Sequence, residues 1–146
     1  MSFAMEIIGL DKLVSGFNAA PSTLITETRT AMEAGGLLIE ASARSNSPKR
    51  TGRLASSITH IISGGGANLQ CKIGPSVQYG LYVETGTRPH WMPPGILPFP
   101  VMRAIAQRGT RAQPFMKPAY EQNVGKVSAL FTALGYKVVS RLAGGG

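Results

Sequence analysis

Residues 56–74, with the sequence SSITHIISGGGANLQCKIG, decide the fold that the chain is expected to adopt. Apolar side chains recur at every second position in residues 69–74 and, less regularly, in residues 56–63. This period of two is typical of strands with one buried face. Residues 64–68 between the two runs are rich in glycine and supply a turn, so the stretch predicts a β-hairpin. The side chains expected to share one face are Ile58, His60 and Ile62 in the first strand, and Leu69, Cys71 and Ile73 in the second.

Two long helices are predicted on either side of the hairpin. In residues 21–45, apolar and small side chains recur at three- and four-residue steps, which marks one face of an amphipathic helix of roughly six turns. The pair Gly35-Gly36 is costly inside a helix and predicts a kink or a close helix contact. The same spacing returns from Pro118 to about Leu142. Each long helix therefore has an apolar face to bury.

Shorter elements complete the outline. We expect a strand or an extended lead-in at residues 3–10, a short helix capped by Asp11, and a short helix at residues 101–107 that ends before Gly109. The chain length suits one core, so residues 1–146 are expected to form a single domain. The predicted fold class is α+β: a long N-terminal helix, an antiparallel hairpin or small sheet, a long proline-rich loop and a C-terminal helix.

The proline-rich loop is predicted at about residues 88–100. Five prolines fall between Thr87 and Val101, and proline fixes φ and removes an amide donor, which excludes an ordinary helix or central strand. Disordered linkers rarely carry much apolar surface, whereas this segment is rich in it. We therefore expect an ordered loop packed on the core or on a neighbouring subunit. Its large apolar side chains are Trp91, Met92, Ile96, Leu97 and Phe99.

Charge is the strongest signal in the composition. Fifteen Lys and Arg against seven Asp and Glu give a net charge of +8 and a pI near 10.2. Such a balance favours polyanionic partners, meaning nucleic acid, an acidic membrane or an acidic protein, although a dispersed excess also serves solubility alone. Two clusters hold most of the basic residues: Arg44, Lys49, Arg50 and Arg53, and then Arg103, Arg108, Arg111 and Lys117.

Membrane and disulfide signals are weak. No apolar run approaches the ~20 residues that span a bilayer, and the first residues lack the pattern of a signal peptide. Cys71 is the single cysteine, so an intrachain disulfide is excluded. We expect a soluble protein made in a cytoplasm, without a membrane partner.

The sequence offers little for catalysis. The two histidines, His60 and His90, have no metal-ligand spacing to Cys71 or to a carboxylate, and Asp11 is the only aspartate. No Lys-Ser/Thr pair follows the three glycines, so a phosphate-binding loop is not expected. We predict no enzyme activity, no metal and no cofactor, and little functional effect of replacing either histidine. The glutamates are expected mostly on helix surfaces, with two weak pairs: Arg29 with Glu33, and Glu40 with Arg44.

Three short motifs follow the first long helix. They are SPKRTGRLASSI at residues 47–58, YGLYVETGT at residues 79–87 and QPFMKPA at residues 113–119. In this order, they resemble a tail-component family of long-tailed bacteriophages, variously described as neck, tail-completion or head–tail joining proteins. Gly80 stands where the family pattern usually has alanine. The resemblance implies a non-enzymatic structural virion protein, a ring-forming connector at the phage neck or tail top that joins head to tail and surrounds the DNA channel.

The resemblance also implies partners. These are further copies of the chain in a cyclic ring, a hexamer by family resemblance, together with head-closure or connector proteins and tail terminator or tail tube proteins. Non-specific contact with packaged DNA is possible, and the location is the virion after assembly in the host cytoplasm. A tail terminator or minor tail protein is the alternative within the phage tail. A small basic nucleic-acid-binding protein is the alternative outside it.

Candidate residues follow from these roles. Each motif also has a local reading: Gly52 supplies a turn with positive φ, Leu54 and Ile58 point into the core, and Phe115 packs at the entrance to the last helix. The candidates for a subunit or partner interface are Tyr79, Tyr82, Glu84, Trp91, Ile96, Phe99 and Phe115. The candidates for facing DNA or another polyanion are Lys49, Arg50 and Arg53.

Overall fold

The computed structural model describes residues 22–65 and 68–144, and the side chains of residues 23 and 141–144 are not described. The long first helix, the hairpin and the long last helix confirm the α+β class. The predicted lead-in at residues 3–10 and the helix after Asp11 lie outside the described residues. None of the described helices is long and apolar enough to cross a lipid bilayer. In chain order the elements are α1 (Ser22–Asn46), α2 (Arg53–Ser57), β1 (Ile58–Ser63), β2 (Gln70–Pro75), α3 (Gly80–Thr85), α4 (Phe99–Arg108) and α5 (Met116–Gly144).

The two long helices, α1 and α5, pack against each other along the described chain. They approach closely at Gly35, where an added Cβ would lie 3.4 Å from a methyl carbon of Val127. Buried Asn123 lies in the same interface and donates from Nδ2 to Ser42 Oγ at 2.6 Å and to the Ala119 carbonyl at 2.8 Å. The glycine pair in α1 therefore marks a close contact, which is one of the two outcomes that the sequence predicted.

The hairpin has the predicted faces. β1 and β2 are antiparallel, with His60 opposite Ile73, and α1 covers the face that carries Ile58. Ile58 is fully buried, whereas Ile61 on the other face is 64% exposed. Gly36 lets the helix come near the sheet, since a Cβ there would lie 2.9 Å from His60 Cδ2.

The turn between α1 and the hairpin contains a short helix that the sequence did not predict. Gly52 adopts φ 70°, as expected of a glycine in a turn. Residues 53–57 then form α2, so β1 begins at Ile58 rather than at the predicted Ser56. Leu54 of α2 is buried against the core, as predicted.

The core lies between α1, the inner face of the hairpin and the first half of α5. α5 begins at Met116, two residues before the predicted start, and places Phe115 and Ala119 in the centre of the core, both fully buried. The core position of Phe115 was predicted, and the structure confirms it. The buried cluster consists of Ile39, Ala43, Leu54, Ile58, Ile73, Phe115, Met116, Ala119 and Val127.

Candidate interaction surface

Residues 87–110, here called the lobe, leave the core and return to it at nearly the same point. Thr87 and Thr110 close its base by exchanging backbone hydrogen bonds of 3.0 and 3.2 Å, and their hydroxyl oxygens lie 2.9 Å apart. Gly86 and Gly109 flank this bridge, both with φ 72°. An added Cβ would lie 2.6 Å from the Thr110 carbonyl oxygen at Gly86 and 1.9 Å from the Thr87 carbonyl oxygen at Gly109. Both positions therefore require glycine for the base to close.

Within the lobe, the proline-rich segment leads into α4. This helix begins at Phe99, two residues earlier than predicted, and Pro100 falls in its first turn, where the missing amide has no cost. The backbone N–H of His90 donates to the Ile105 carbonyl of α4 at 3.4 Å. Met102 of α4 is buried. A backbone hydrogen bond thus links the segment to α4.

The lobe exposes four large apolar side chains, here called its outer side. Trp91 is 75% exposed, and Ile96, Phe99 and Val101 are exposed as well. Trp91 and Phe99 line one cavity of about 260 Å³, and exposed apolar side chains that lie together mark a candidate interaction site. In the isolated chain, therefore, these side chains do not pack on the core. The sequence left open packing on the core or on a neighbour, and the uncovered surface favours the neighbour.

A cavity of about 600 Å³ lies between the lobe and the core. Residues 48–54 and α3 form the core side of the cavity, and residues 87–97 with α4 and residues 110–113 form the lobe side. Tyr79 and Tyr82 are exposed on the core side. The lining side chains are mainly apolar: Pro48, Leu54, Tyr79, Tyr82, Val83, Met92, Leu97 and Ile105, with Arg50, Thr51, Thr87, His90, Thr110, Arg111 and Gln113.

The two basic clusters of the sequence meet at this cavity. Arg50 comes from the first cluster and Arg111 from the second, and both line the cavity. Both are exposed, and neither forms an ion pair with a carboxylate of the described residues. Lys49 and Arg53 are exposed as well, on the same turn as Arg50 but outside the cavity lining.

Glu84, in the motif at residues 79–87, forms hydrogen bonds with the backbone of the motif at residues 113–119. Its Oε2 accepts hydrogen bonds from the backbone N–H groups of Phe115 at 2.7 Å and Met116 at 2.9 Å, and its Oε1 accepts one from Lys117 at 3.0 Å. These are the first amides of α5, which have no partner within the helix, and Pro118 has no N–H to satisfy. A carboxylate at a helix N-terminus is also favoured by the helix dipole. Glu84 therefore caps α5 from 31 residues away.

Two candidate interface residues thus lie inside the chain. Glu84 and Phe115 are buried, at 7% and 0% exposure, and their contacts are with the chain itself. The structure gives them packing and capping roles, so they do not remain among the candidates for an interface. Gly80, the departure from the family pattern, is explained by a close approach, because a Cβ there would lie 2.4 Å from Pro75 Cγ.

His60 is held between two carboxylates, although the sequence places no carboxylate at metal-ligand spacing from it. Its Nδ1 lies 2.5 Å from Glu40 Oε2, and its Nε2 lies 3.0 Å from Glu33 Oε1. Glu40 also pairs with Arg44 at 2.7 Å, and the Arg44 guanidinium donates to the Ile58 carbonyl at 2.8 and 3.0 Å. This network fastens α1 to β1. Glu40 is buried. The expectation that it lies at the helix surface is therefore wrong.

Of the two expected pairs, Glu40 with Arg44 is confirmed, and Arg29 with Glu33 is wrong. Arg29 does not bond Glu33, but donates to the Gly64 carbonyl at 3.4 Å, while Glu33 turns to His60. A signal for this network was present, since Glu33 and Glu40 are seven residues apart and therefore share a helix face. The missing information was that this face meets the inner side of β1.

Burial and hydrogen bonding act in opposite directions on His60. Burial lowers its pKa, but the hydrogen bonds and charges of Glu40 and Glu33 outweigh this and raise the pKa above the ordinary value of 6.5. Burial, together with the charge of Glu33, raises the pKa of the Cys71 thiol. Among the described residues, no group of three or more His, Cys, Asp or Glu side chains is arranged to hold a metal ion.

A family model described as "Bacteriophage HK97-gp10, putative tail-component" matches residues 11–86. The chain belongs to this family of phage tail components. The match includes α1, the hairpin and α3 with Glu84, while the lobe and α5 follow it. Comparison with curated proteins found no match, and comparison with solved structures found none either. This HK97-gp10-like chain is therefore a structural phage tail component and a virion protein.

Proposed function

We propose that this HK97-gp10-like protein is a ring-forming connector at the phage neck or tail top, where it joins head to tail around the DNA channel. The single observation that carries this proposal is the apolar outer side of the lobe, formed by Trp91, Ile96 and Phe99 on a projection closed at its base. A subunit that works alone gains nothing from exposing these side chains. A subunit that inserts them into a neighbour gains about 1.5–3 kcal/mol for each one that is fully covered.

The exposed apolar side chains of the lobe support a ring. In this proposal they insert into a different surface of the next copy, so the two surfaces in contact are not the same. Contacts between two different surfaces repeat head to tail and close into a ring when the rotation between copies allows it. Residues 1–146 act as one head–tail joining domain in this proposal, and the family resemblance suggests six copies.

The basic turn suits a position at the channel. Lys49 and Arg53 are exposed on the loop that precedes the hairpin, and neither forms an ion pair with a described carboxylate. Basic side chains lining a lumen would lower the electrostatic cost of moving DNA through it. Such contacts are with phosphates and require no base recognition.

The main rival is a basic protein that binds nucleic acid as a monomer or dimer, supported by the same exposed basic residues. Assembly in extracts separates the two proposals. Phage assembled without this protein should accumulate filled heads and complete tails that do not join, and addition of the purified protein should restore joined particles. Joined particles in its absence would contradict the connector.

Variants make the same assay specific. Trp91→Glu should abolish joining, because a charge on the outer side of the lobe opposes the burial of that side. The matched control is Tyr136→Glu, at an exposed position of α5, which should leave joining intact. Lys49→Glu with Arg53→Glu should allow joining but slow DNA delivery. Tight binding of DNA by a lone monomer, lost steeply with salt, would favour the rival.

A further inference from the structure

The cavity between lobe and core combines apolar walls with two arginines that form no ion pair with a described carboxylate. Leu54, Tyr82 and Ile105 are among the apolar groups that face it, and Arg50 and Arg111 are its two arginines. Among the described residues, no carboxylate lines it. The nearest one along the chain, Glu84, is buried and bonded to three backbone amides of α5. An occupant that is apolar and carries negative charge complements both features of the cavity.

The lobe of a second copy does not have this chemistry. No Asp or Glu occurs between Glu84 and Glu121, while the lobe carries Arg88, Arg103 and Arg108. Inserting one lobe into the cavity of the next copy would place these cations near Arg50 and Arg111, and like charges at an interface oppose binding. The described carboxylates outside the cavity are also engaged: Glu33 with His60, Glu40 with His60 and Arg44, Glu121 with Lys117, and Glu27 with Lys137.

DNA fits the cavity less well than a protein segment does. Phosphates would match the two arginines, but the walls between them are aliphatic and aromatic side chains that a sugar-phosphate backbone would leave uncovered. A peptide with apolar side chains covers those walls and can present a carboxylate to each arginine. Arginine pairs well with carboxylates because its planar fork can donate two parallel hydrogen bonds.

We infer that this cavity receives a segment of a different phage structural protein, one that carries apolar side chains next to at least one Asp or Glu. The inference rests on the proposed function, because a connector needs a partner other than itself. It assigns separate tasks to the outer side of the lobe and to the cavity. The outer side, with Trp91 and Phe99, contacts the next copy in the ring, and the cavity, with Arg50 and Arg111, contacts the adjoining protein.

Photo-crosslinking in assembled particles tests the inference. A photoreactive phenylalanine analogue is placed at Tyr82, which lines the cavity and is 57% exposed, and as a control at Tyr136, which is 74% exposed on α5. After irradiation, mass spectrometry identifies the linked segment. We expect Tyr82 to link to another phage structural protein, at a segment with an acidic residue beside an apolar one, and Tyr136 not to link to that segment.

Charge reversal provides the second measurement. Arg50→Glu with Arg111→Glu should lower the yield of the Tyr82 crosslink by about tenfold or more, because two attractive pairs become repulsive. The matched control is Arg88→Glu with Arg108→Glu, two exposed arginines outside the cavity lining. Each double variant lowers the net charge by four, from +8 to +4. The control should lower the yield by less than about twofold. Thermal unfolding of both variants verifies that the fold is kept.

Several outcomes overturn the inference while leaving the connector in place. They are a Tyr82 crosslink to this chain, either to another copy or to residues 1–21 of the same subunit, which carry Glu6 and Asp11 beside apolar side chains, a crosslink to DNA, no crosslink in particles that contain the protein, or equal loss in both double variants. If the protein is missing from joined particles altogether, the proposed function fails and the inference fails with it. The two failures are therefore distinguishable by one assay for the protein in purified particles.

Discussion

The core and the lobe contain the same types of apolar residue, but the core buries them and the lobe exposes them. Phe115 and Phe99 lie 16 positions apart in the sequence. Phe115 is fully buried between the long helices and the hairpin, whereas Phe99 is 66% exposed on the lobe. Composition and local hydropathy do not distinguish the two. The difference is set by the surrounding chain: Phe115 is surrounded by elements that fold with it, and the outer side of the lobe has no such cover.

The two regions differ in how completely their side chains are covered within the subunit. The core is closed by contacts within the subunit, including the cap from Glu84 and the network around His60. The lobe is closed only at its base, by the Thr87–Thr110 bridge. Buried side chains of the core set the stability of the subunit, and in the proposed function the exposed side chains of the lobe set its affinity for neighbours. The first two predictions below compare a buried residue with an exposed one, and the last two test the His60 network and the exposed Trp91.

The largest effect is expected for the two phenylalanines. Phe115→Ala should lower the free energy of unfolding by about 3–5 kcal/mol, because it leaves a cavity in the centre of the core. Phe99→Ala should change it by less than about 0.5 kcal/mol, because its side chain is mostly in water. Urea unfolding of both variants measures the difference. If Phe115→Ala does not fold, Phe115→Leu offers a smaller loss of about 1–2 kcal/mol. Equal effects at the two positions would refute the division into core and lobe.

The second effect concerns the cap on α5. Glu84→Gln should lower the free energy of unfolding by about 2–3 kcal/mol, since an amide retains one acceptor oxygen and presents an N–H₂ group to a backbone N–H. The matched control is Glu121→Gln, an exposed residue of α5 that is 3.9 Å from Lys117 and should cost less than about 0.5 kcal/mol. Chemical denaturation compares the two. A small loss at Glu84 would show that the first amides of α5 find other partners.

The hairpin, both long helices and the core position of Phe115 could be predicted because they depend on local patterns. Alternation in residues 69–74 and helical spacing in α1 and α5 are visible within a single element. The glycine pair Gly35-Gly36 was also informative, since a costly residue in a helix signals a close approach. Boundaries were displaced by two residues at β1, at α4 and at α5.

The two carboxylate networks could not be predicted, for a physical reason. Glu84 and Phe115 are 31 residues apart, and Glu40 and His60 are 20 apart. Nothing in the local sequence distinguishes a glutamate that will cap another helix from one that faces water. A surface position was the better expectation for both glutamates, and tertiary contacts overrode it. An ordered loop was expected at residues 88–100, but the cavity could not be predicted because it depends on how residues 48–54 and 110–113 meet.

The third prediction uses the raised pKa of His60. At a pH below 6.5, the ordinary pKa of histidine, protonated His60 stabilises the fold. This contribution is lost as the pH rises through the raised pKa of His60 in the folded chain. His60→Gln should therefore cost about 1–2 kcal/mol near pH 5.5 and less near pH 8.5. Unfolding curves at several pH values give this difference. Glu33→Gln should reduce the pH dependence without removing it, because Glu40 remains. A cost that grows with pH would contradict the assignment.

The smallest effect on stability, and the sharpest test of the lobe, is expected for Trp91. It is the single tryptophan of the chain and is 75% exposed, so Trp91→Ala should change the free energy of unfolding of the isolated subunit by less than about 0.5 kcal/mol. The same change should weaken assembly, because covering the Trp91 side chain with a neighbouring subunit stabilises the assembly by about 1.5–3 kcal/mol. Fluorescence reports on both states. The isolated subunit should emit as a tryptophan in water does, and the emission maximum should shift to the blue on assembly. An emission already blue-shifted in the isolated subunit, and unchanged in the assembly, would mean that the lobe folds back on its own core and that the contrast with Phe115 does not exist.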